Sequence, residues 1–478
     1  MKRVNEAAKK CKRPVTVLQY GEGNFLRGFV DYMIDIANEQ NVYIGSVQII
    51  KNIPQGDLAP LKSQDCVYTV LLRGKRNNEI HVEKRVVTSV AGATDAYEDY
   101  DEYAAFAKNT DLQVIVSNTT EAGIVYDDTD LYELTPPNTY PGKLTKLLHE
   151  RYEHFNGDST KGLIILPCEL NENNGDLLLD CCLKIAEHWK LPPDFLDWMK
   201  HCNMFCNTLV DRIMTGYPTD EAETLEKEFG YKDDLIVTGE PFALWVIESK
   251  SPSRISRRFP LDKIGFYVIY TNDLTPYRER KVRLLNGTHT ASVLAAYMAG
   301  LDTVGDMMKD TDMRAFVEKV MYTELAPMVP LPEDEVNTFA RSVIERFENP
   351  FIRHNLLSIA LNSFAKFKVR VLPTILETYE KTGSLPKLLT FSLAAFIRFY
   401  SVGERDGIPY TVMDDDSVKA FFNESKDKPV DVFVPLFLSR ADLWGRDLTT
   451  ISGLTETIIS HLYRINDAGM RGAVHGLL

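Results

Sequence analysis

At 478 residues the chain is too long for one ordinary hydrophobic core, and it suits two large domains or one domain with a big insertion. Apolar residues make up 44% and charged residues 26%, the balance of a folded globular protein. The net charge of −14 excludes a broad basic surface for nucleic acid or anionic lipid, so an anionic metabolite would need a local basic pocket.

No apolar run approaches the ~20 residues of a membrane span. The opening MKRVNEAAKKCKRP lacks the apolar core of a secretory signal. The seven cysteines (Cys11, Cys66, Cys168, Cys181, Cys182, Cys202 and Cys206) are odd in number and two are adjacent. Reduced thiols in a cytoplasm are therefore expected. His201 and Cys202 precede Cys206, but no second ligand pair has zinc spacing, and no metal is expected.

Residues 15–20, VTVLQY, read as a buried strand, followed by the glycine-rich GEGNFLRG, a helical FVDYMIDIANEQ and a second strand, SVQIIK, at 46–51. Strand, glycine turn, helix and strand open a βαβ unit. Gly21 and Gly23 stand where a dinucleotide fold needs a tight turn and close backbone approach to a pyrophosphate, whereas the place of the third glycine holds Leu26. The second strand ends at Lys51 rather than at an acid for the ribose hydroxyls; the nearest acid is Asp57. Local chemistry thus leaves NAD and NADP both open, since a lysine also suits a 2′-phosphate.

Residues 66–74 and 79–90 alternate around KRNN and predict an inserted β-hairpin, followed by an acidic helix near 96–108. LQVIVSNTTEAG (112–123) is an apolar run ending in Ser117, Asn118, Thr119, Thr120 and Glu121. Small polar residues at the carboxyl end of a buried strand are where an open α/β sheet places ligands. GLIILPCE (162–169) repeats the shape, with Glu169 and Asn174 at its end, and IGFYVIYTN (264–272) is a third such run. From about residue 277 helical periodicity dominates, at 281–299, 312–326, 334–347, 355–367 and 385–400, with FVPLFL (433–438) as the main extended run. The expected architecture is an α/β, Rossmann-like dinucleotide-binding domain with an inserted hairpin at 1–277, then a mostly α-helical domain at 278–478.

The second domain opens on Lys281-Val-Arg-Leu-Leu-Asn286-Gly287-Thr-His289. On an α-helix, at about 100° per residue, Asn286 lies roughly 140° and His289 roughly 80° round from Lys281. The three polar heads share one arc, where an amine, an amide and an imidazole can meet one oxygen atom. Lysine, asparagine and histidine at helical spacing are more often a solvated face. Gly287 costs about 1 kcal/mol against alanine inside a helix, so close approach to its backbone is expected.

GEGNFLRGFVD, SNTTEAGI, LVDRI at 209–213, EPFALWVIE at 240–248 and KVRLLNGTH at 281–289 occur in one order. Together they resemble the long-chain polyol dehydrogenases, the mannitol dehydrogenase family, over nearly the whole chain. The resemblance implies metal-independent hydride transfer with NAD. It places the cofactor on Gly21, Glu22, Gly23, Asn24, Phe25, Leu26 and Arg27 and on Asn118, Thr119, Thr120 and Glu121. It makes Lys281 the general acid/base and has Asn286 and His289 hydrogen-bond the reacting oxygen, with His289 alternatively a substrate-positioning group.

Two positions depart from the polyol members. Leu170 stands where they carry an asparagine after the acid, leaving Asn171 or Asn174 as the available amides, and Ser358 stands where they carry an arginine eight residues before Lys366. Both departures, and the run 346–373, resemble the uronate branch, which implies a small sugar-acid substrate held by Glu169, Asn174 and Lys366. A carboxylate asks for a charge-assisted clamp. Lys366 has the best claim, followed by Arg353, His354, Arg370 and Arg283. The competing readings are a reductase of an epimeric keto-uronate or a polyol dehydrogenase, both of the same fold, and a dinucleotide sensor, which has no need for Lys281, Asn286 and His289 together.

Overall fold

The computed structural model describes residues 1–478. The chain divides into two compact units, Met1–Arg73 with Ile80–Leu274, and Gly74–Glu79 with Thr275–Leu478.

The first unit is built on six parallel strands: β1 (Val15–Tyr20), β2 (Ser46–Lys51), β3 (Val90–Asp95), β4 (Val114–Ser117), β5 (Ile164–Pro167) and β6 (Met204–Phe205). Their spatial order is β3-β2-β1-β4-β5-β6, and every neighbouring pair is parallel. This is the order of doubly wound dinucleotide folds, with the topological switch between β1 and β4. The strands read as unbroken apolar runs because both faces are covered. Val17, Val47, Val114 and Ile164 enter one core, while Leu18, Ile115 and Ile165 enter the other.

Two strand expectations change. Val90 does not end the hairpin but opens β3, which pairs with β2. Its sequence, VAGATD, is too rich in alanine and glycine to read as a strand. Gln48 of β2 fills the space over Gly92 and donates to Thr94 Oγ1 at 2.9 Å. The run at 264–272 does form a strand, Tyr267–Thr271, but in a separate three-stranded sheet with Asn207–Asp211 and Leu244–Glu248. Its carboxyl end is therefore no part of the switch crevice. The hairpin strands are Tyr68–Arg76 and Glu79–Val87. The hairpin tip belongs to the second unit, where Lys75 pairs with Glu348 and the Asn78 amide donates to Glu345.

The second unit is helical. The first helix, α1, covers 275–298 and includes Thr275–Arg280 and Thr288–Met298; α2 is Glu333–Phe347, α3 Ser363–Arg370, α4 Lys387–Val402 and α5 Leu454–His475. The α4 helix is apolar nearly all round because it packs against both α1 and α5. FVPLFL is not extended: Val430–Leu438 is a helix with Phe433, Val434, Phe437 and Leu438 buried. Those positions repeat at helical spacing, and burial of that face overrides the strand preference of valine and phenylalanine. No helix is long and apolar enough to cross a membrane.

One buried group makes stability depend on pH. His461 on α5 sits edge-on to Phe391, and neither ring nitrogen has a partner. Burial, then the charges of Arg464 and Lys387, lower its pKa to about 4. The folded protein holds this ring neutral, so the unfolded chain binds the extra proton between about pH 6.5 and 4, and stability falls as pH falls through that window. His461→Leu, of similar volume, should remove on the order of 2 kcal/mol of the loss between pH 7.5 and pH 5. Urea unfolding at both pH values tests it, and identical pH slopes for the two proteins would refute it.

Candidate active site

The switch crevice of the first unit is built by two turns. At the end of β1, Gly21 adopts φ +115°, and a Cβ there would lie 3.2 Å from the Asn118 carbonyl oxygen that follows β4. Only glycine accepts that conformation at low cost. Gly23 precedes the helix that starts at Asn24, and a Cβ on it would meet nothing within 4 Å. Open space against backbone N–H groups at a helix amino end suits a pyrophosphate. The third glycine was missed only by position. A Cβ on Gly28 would lie 2.1 Å from Met214 Cε, so Gly28 gives the close helix-to-strand packing expected at residue 26.

The rest of GEGNFLRG divides by exposure. Asn24 is exposed and Glu22 and Phe25 are half-buried, but Leu26 faces the core. Arg27 is also buried, donating to the Glu22 and Leu235 carbonyls at 3.2 and 3.0 Å and to Asn24 Oδ1 at 2.5 Å, with its guanidinium over the Tyr68 ring. Arg27 braces the turn, so its side chain is not a phosphate ligand. The side chains of Leu26 and Arg27 are thus engaged within the protein, and the cofactor expectation for the two residues rests on their backbone groups.

After β4, Asn118 Nδ2 donates to the Cys168 carbonyl at 2.9 Å. The Thr119 amide and hydroxyl both donate to Glu169 Oε1, at 2.8 and 2.9 Å, and Ser117 donates to Oε2 at 3.0 Å. Glu169 is 2% exposed; burial raises its pKa, opposed by those donors. Asn174 is wholly buried, its amide donating to the Pro167, Glu169 and Thr208 carbonyls and accepting from the Thr208 amide. The side chains of Glu169 and Asn174, expected to bind substrate, hold the loops beyond β4 and β5. Asn171 likewise donates to the Glu121 carbonyl. Thr120 and Glu121 remain exposed, and Thr120 has φ +73°, a strained conformation for threonine of the kind that gathers at ligand sites.

Lys51 meets no open space. Its Nζ lies 2.6 Å from Asp95 Oδ2, both side chains are about 5% exposed, and the two residues are paired across β2 and β3. Burial raises the Asp95 pKa, but the Lys51 ammonium and the Tyr97 amide outweigh it and the net direction is downward. The cation that left a 2′-phosphate open is thus neutralised within the protein.

In the second unit, residues Lys281–Gly287 of α1 form a π-helical segment rather than α-helix. With i→i+5 hydrogen bonds a turn holds roughly 4.4 residues, or about 80° per residue. Asn286 then comes to about 50° from Lys281 instead of ~140°, and His289 falls about 30° to the other side. The three groups share a narrower arc than an α-helix would give. Each keeps some exposure while Arg283, Leu284, Leu285, Gly287 and Thr288 are buried. At Gly287 the expected approach is the Arg370 carbonyl at the end of α3, 3.3 Å from where a Cβ would be.

His289 stacks on Phe347 of α2, with ring centroids 4.1 Å apart and planes 10° from parallel, and meets His354 edge-on at 5.5 Å. Its Nε2 is buried without a protein partner. Burial, then His354, Arg346, Arg370 and Lys366, push its pKa well below the usual histidine range. A neutral imidazole with an unpartnered nitrogen can offer one directed hydrogen bond. The clamp expectations separate here. Arg283 donates from Nη1 to Thr374 Oγ1 and from Nη2 to both Glu377 oxygens at 2.8 and 2.9 Å, which occupies it within the protein. Arg353 is exposed on a cavity of about 800 Å³ that it shares with Lys75, Arg314 and Glu348. Lys366 Nζ donates to the Ile359 carbonyl at 2.9 Å.

Residues 15–257 match the Mannitol dehydrogenase Rossmann domain, and residues 273–466 match the Mannitol dehydrogenase C-terminal domain. The chain belongs to the mannitol dehydrogenase family. Within that family it is 44% identical over 471 residues to the altronate oxidoreductase of Shigella flexneri, and 45% identical to that of Enterobacter sp. (strain 638), covering 97% of both chains in each case. Two solved members at 21% identity share the fold. A D-sorbitol dehydrogenase aligns with TM-score 0.82 over 97% of this chain and 95% of its own. The Pseudomonas fluorescens mannitol 2-dehydrogenase, solved with NAD and D-mannitol, aligns with 0.68 over 98% and 94%.

Proposed function

We propose that this mannitol dehydrogenase family member is an NAD-dependent oxidoreductase that interconverts D-tagaturonate and D-altronate. The observation that carries the reading is the convergence of Lys281, Asn286 and His289 on one π-helical arc beside Arg346, Arg370 and Lys366. Full-length identity to altronate oxidoreductases supports the substrate. The sheet order, the open space at Gly23 and the exposed Thr120–Glu121 loop fit a dinucleotide. The buried Lys51–Asp95 pair leaves no free cation at the end of β2 for a 2′-phosphate, which favours NAD over NADP.

When bound, the cofactor supplies the hydride to the carbonyl carbon. Lys281 donates its proton to the oxygen as negative charge builds there, and in the reverse direction the neutral amine takes the hydroxyl proton. Asn286 and His289 hold that oxygen by hydrogen bonds that strengthen as it becomes alkoxide-like. Because His289 stays neutral, it orients the oxygen without competing for the proton that Lys281 delivers. Lys366 adds positive charge towards the sugar acid. The proposal includes a cytoplasmic place of work and no metal, nucleic acid or membrane partner.

Initial rates of NADH oxidation with tagaturonate, fructuronate and fructose, repeated with NADPH, test the reading. Tagaturonate with NADH should lead by at least about tenfold in kcat/KM, a transition-state preference of ~1.4 kcal/mol. Fructose turned over as well as the uronates would overturn it in favour of a polyol dehydrogenase.

A further inference from the structure

The α3 helix carries Lys366 and Arg370 four residues apart, hence on one face. Lys368, two residues from each, turns elsewhere and donates to the Leu443 carbonyl. Arg370 closes α3, and its carbonyl lies against Gly287, so the helix end that bears this guanidinium packs directly on the π-helical segment. A side chain at residue 287 would hold the two apart.

Arg370 has no ion pair of its own, whereas several other cations of the unit do. Arg283 is taken by Glu377, Lys75 by Glu348, and Arg314 by Glu318 and Glu348. Asp414, the acid that acts on Lys366, already accepts from the Phe364 and Asp415 amides and from the Tyr400 hydroxyl. Arg370 is half-buried, and burial alone shifts its pKa, downward, with no carboxylate to offset it. Its charge nevertheless reaches both His289 and Lys366. A half-buried guanidinium is stable without a partner only where a ligand or water takes its donors, and its planar fork matches a carboxylate.

We propose that Arg370 is the specificity-determining residue for the substrate carboxylate, with Lys366 behind it as a second positive charge. The inference rests on the keto-uronate reading above and deepens it, since it moves the main carboxylate contact from Lys366 to Arg370. Lys366 has one donor committed to the Ile359 carbonyl, whereas the Arg370 fork is uncommitted. The chemistry of the substrate agrees. In a six-carbon keto-uronate, four carbon–carbon bonds separate the carbonyl from the carboxylate carbon, about 5 Å when extended. An oxygen held at Asn286 and His289 therefore leaves the carboxylate one side-chain length away, within reach of a cation that already acts on His289.

The test compares wild type, Arg370→Met and Arg370→Lys on tagaturonate and on tagatose, the neutral ketose with a hydroxymethyl group in place of the carboxylate. Arg370→Met keeps the stem and removes the fork. Its KM for tagaturonate should rise about 10- to 100-fold with kcat within a few-fold, while kcat/KM for tagatose stays within about twofold. Arg370→Lys should recover part of the loss, because it restores the charge and not the fork. NADH binding, followed by fluorescence, should be the same in all three and shows that each is folded. An unchanged KM for tagaturonate in Arg370→Met, or an equal loss on both substrates, overturns the assignment while leaving the proposed function in place. A wild-type protein that reduces no keto-uronate overturns the proposed function, and the assignment with it.

Discussion

Lys281→Ala is expected to lower kcat for tagaturonate reduction by about 10²–10⁴-fold while NADH still binds. The expectation follows from the division of labour proposed for the π-helical segment. Asn286 and His289 can hold the oxygen, but neither supplies a proton at neutral pH: an amide does not ionise, and the His289 ring is kept neutral by burial and by its cationic neighbours. Lys281→Arg should be nearly as impaired, because a guanidinium keeps its proton in proteins and cannot accept one in the oxidative direction. The discriminating measurement pairs single-turnover rates at saturating substrate with a fluorescence titration of NADH. Loss of binding in parallel with turnover would make Lys281 a structural residue and sink its acid/base role.

Lys51→Met should cost about 3–5 kcal/mol of stability, the range for removing one partner of a buried ion pair. The cost lies less in the lost attraction than in what remains, namely Asp95 as a buried carboxylate facing a thioether. Asp95 keeps the Tyr97 amide, which compensates only a part. A Lys51→Met, Asp95→Leu double variant should recover most of the loss, since the two side chains are directly paired in register and no unpaired charge is left. Denaturant unfolding of both single variants and the double variant gives the coupling. A loss below about 1 kcal/mol in Lys51→Met would show that the pair is solvated and that Lys51 remains open to a 2′-phosphate.

The parts of the fold that were legible in the sequence are those set by local pattern. β1, β2, β4 and β5 are runs of valine, isoleucine and leucine bounded by turns, and α2 and α4 repeat with helical spacing. β3 was hidden because its small residues are apt only beside Gln48 of the neighbouring strand. Val430–Leu438 was misread because its burial pattern outweighs its propensity.

The site divides in the same way. That Lys281, Asn286 and His289 share one arc was legible from spacing, and the Gly21 turn from its glycines. Whether a polar side chain serves a ligand or the protein was not legible, because that depends on what lies opposite. Arg27 meets the Leu235 carbonyl, Asn174 meets Thr208, and Arg283 meets Glu377, all far away in sequence. The change from α to π pitch at Lys281–Gly287 was equally invisible, since the sequence is an acceptable α-helix and only the placement of α3 against Gly287 distinguishes the two.

The π-helical segment gives this site an unusual kind of tolerance. What brings Lys281 under Asn286 is the number of residues wound into the turn, so the alignment is stored as a length. Exchanging Val282 for another apolar residue leaves that length intact. Deleting one residue between Lys281 and Asn286 would let the segment relax to ordinary α pitch, giving a more regular helix on which amine and amide again lie side by side, four residues apart. The same deletion would leave Thr288–Met298 nearly unrotated, because five steps at about 100° and six at about 82° differ by only ~10°. The extra residue is therefore a length that the segment could give up while the packing of everything after it is kept.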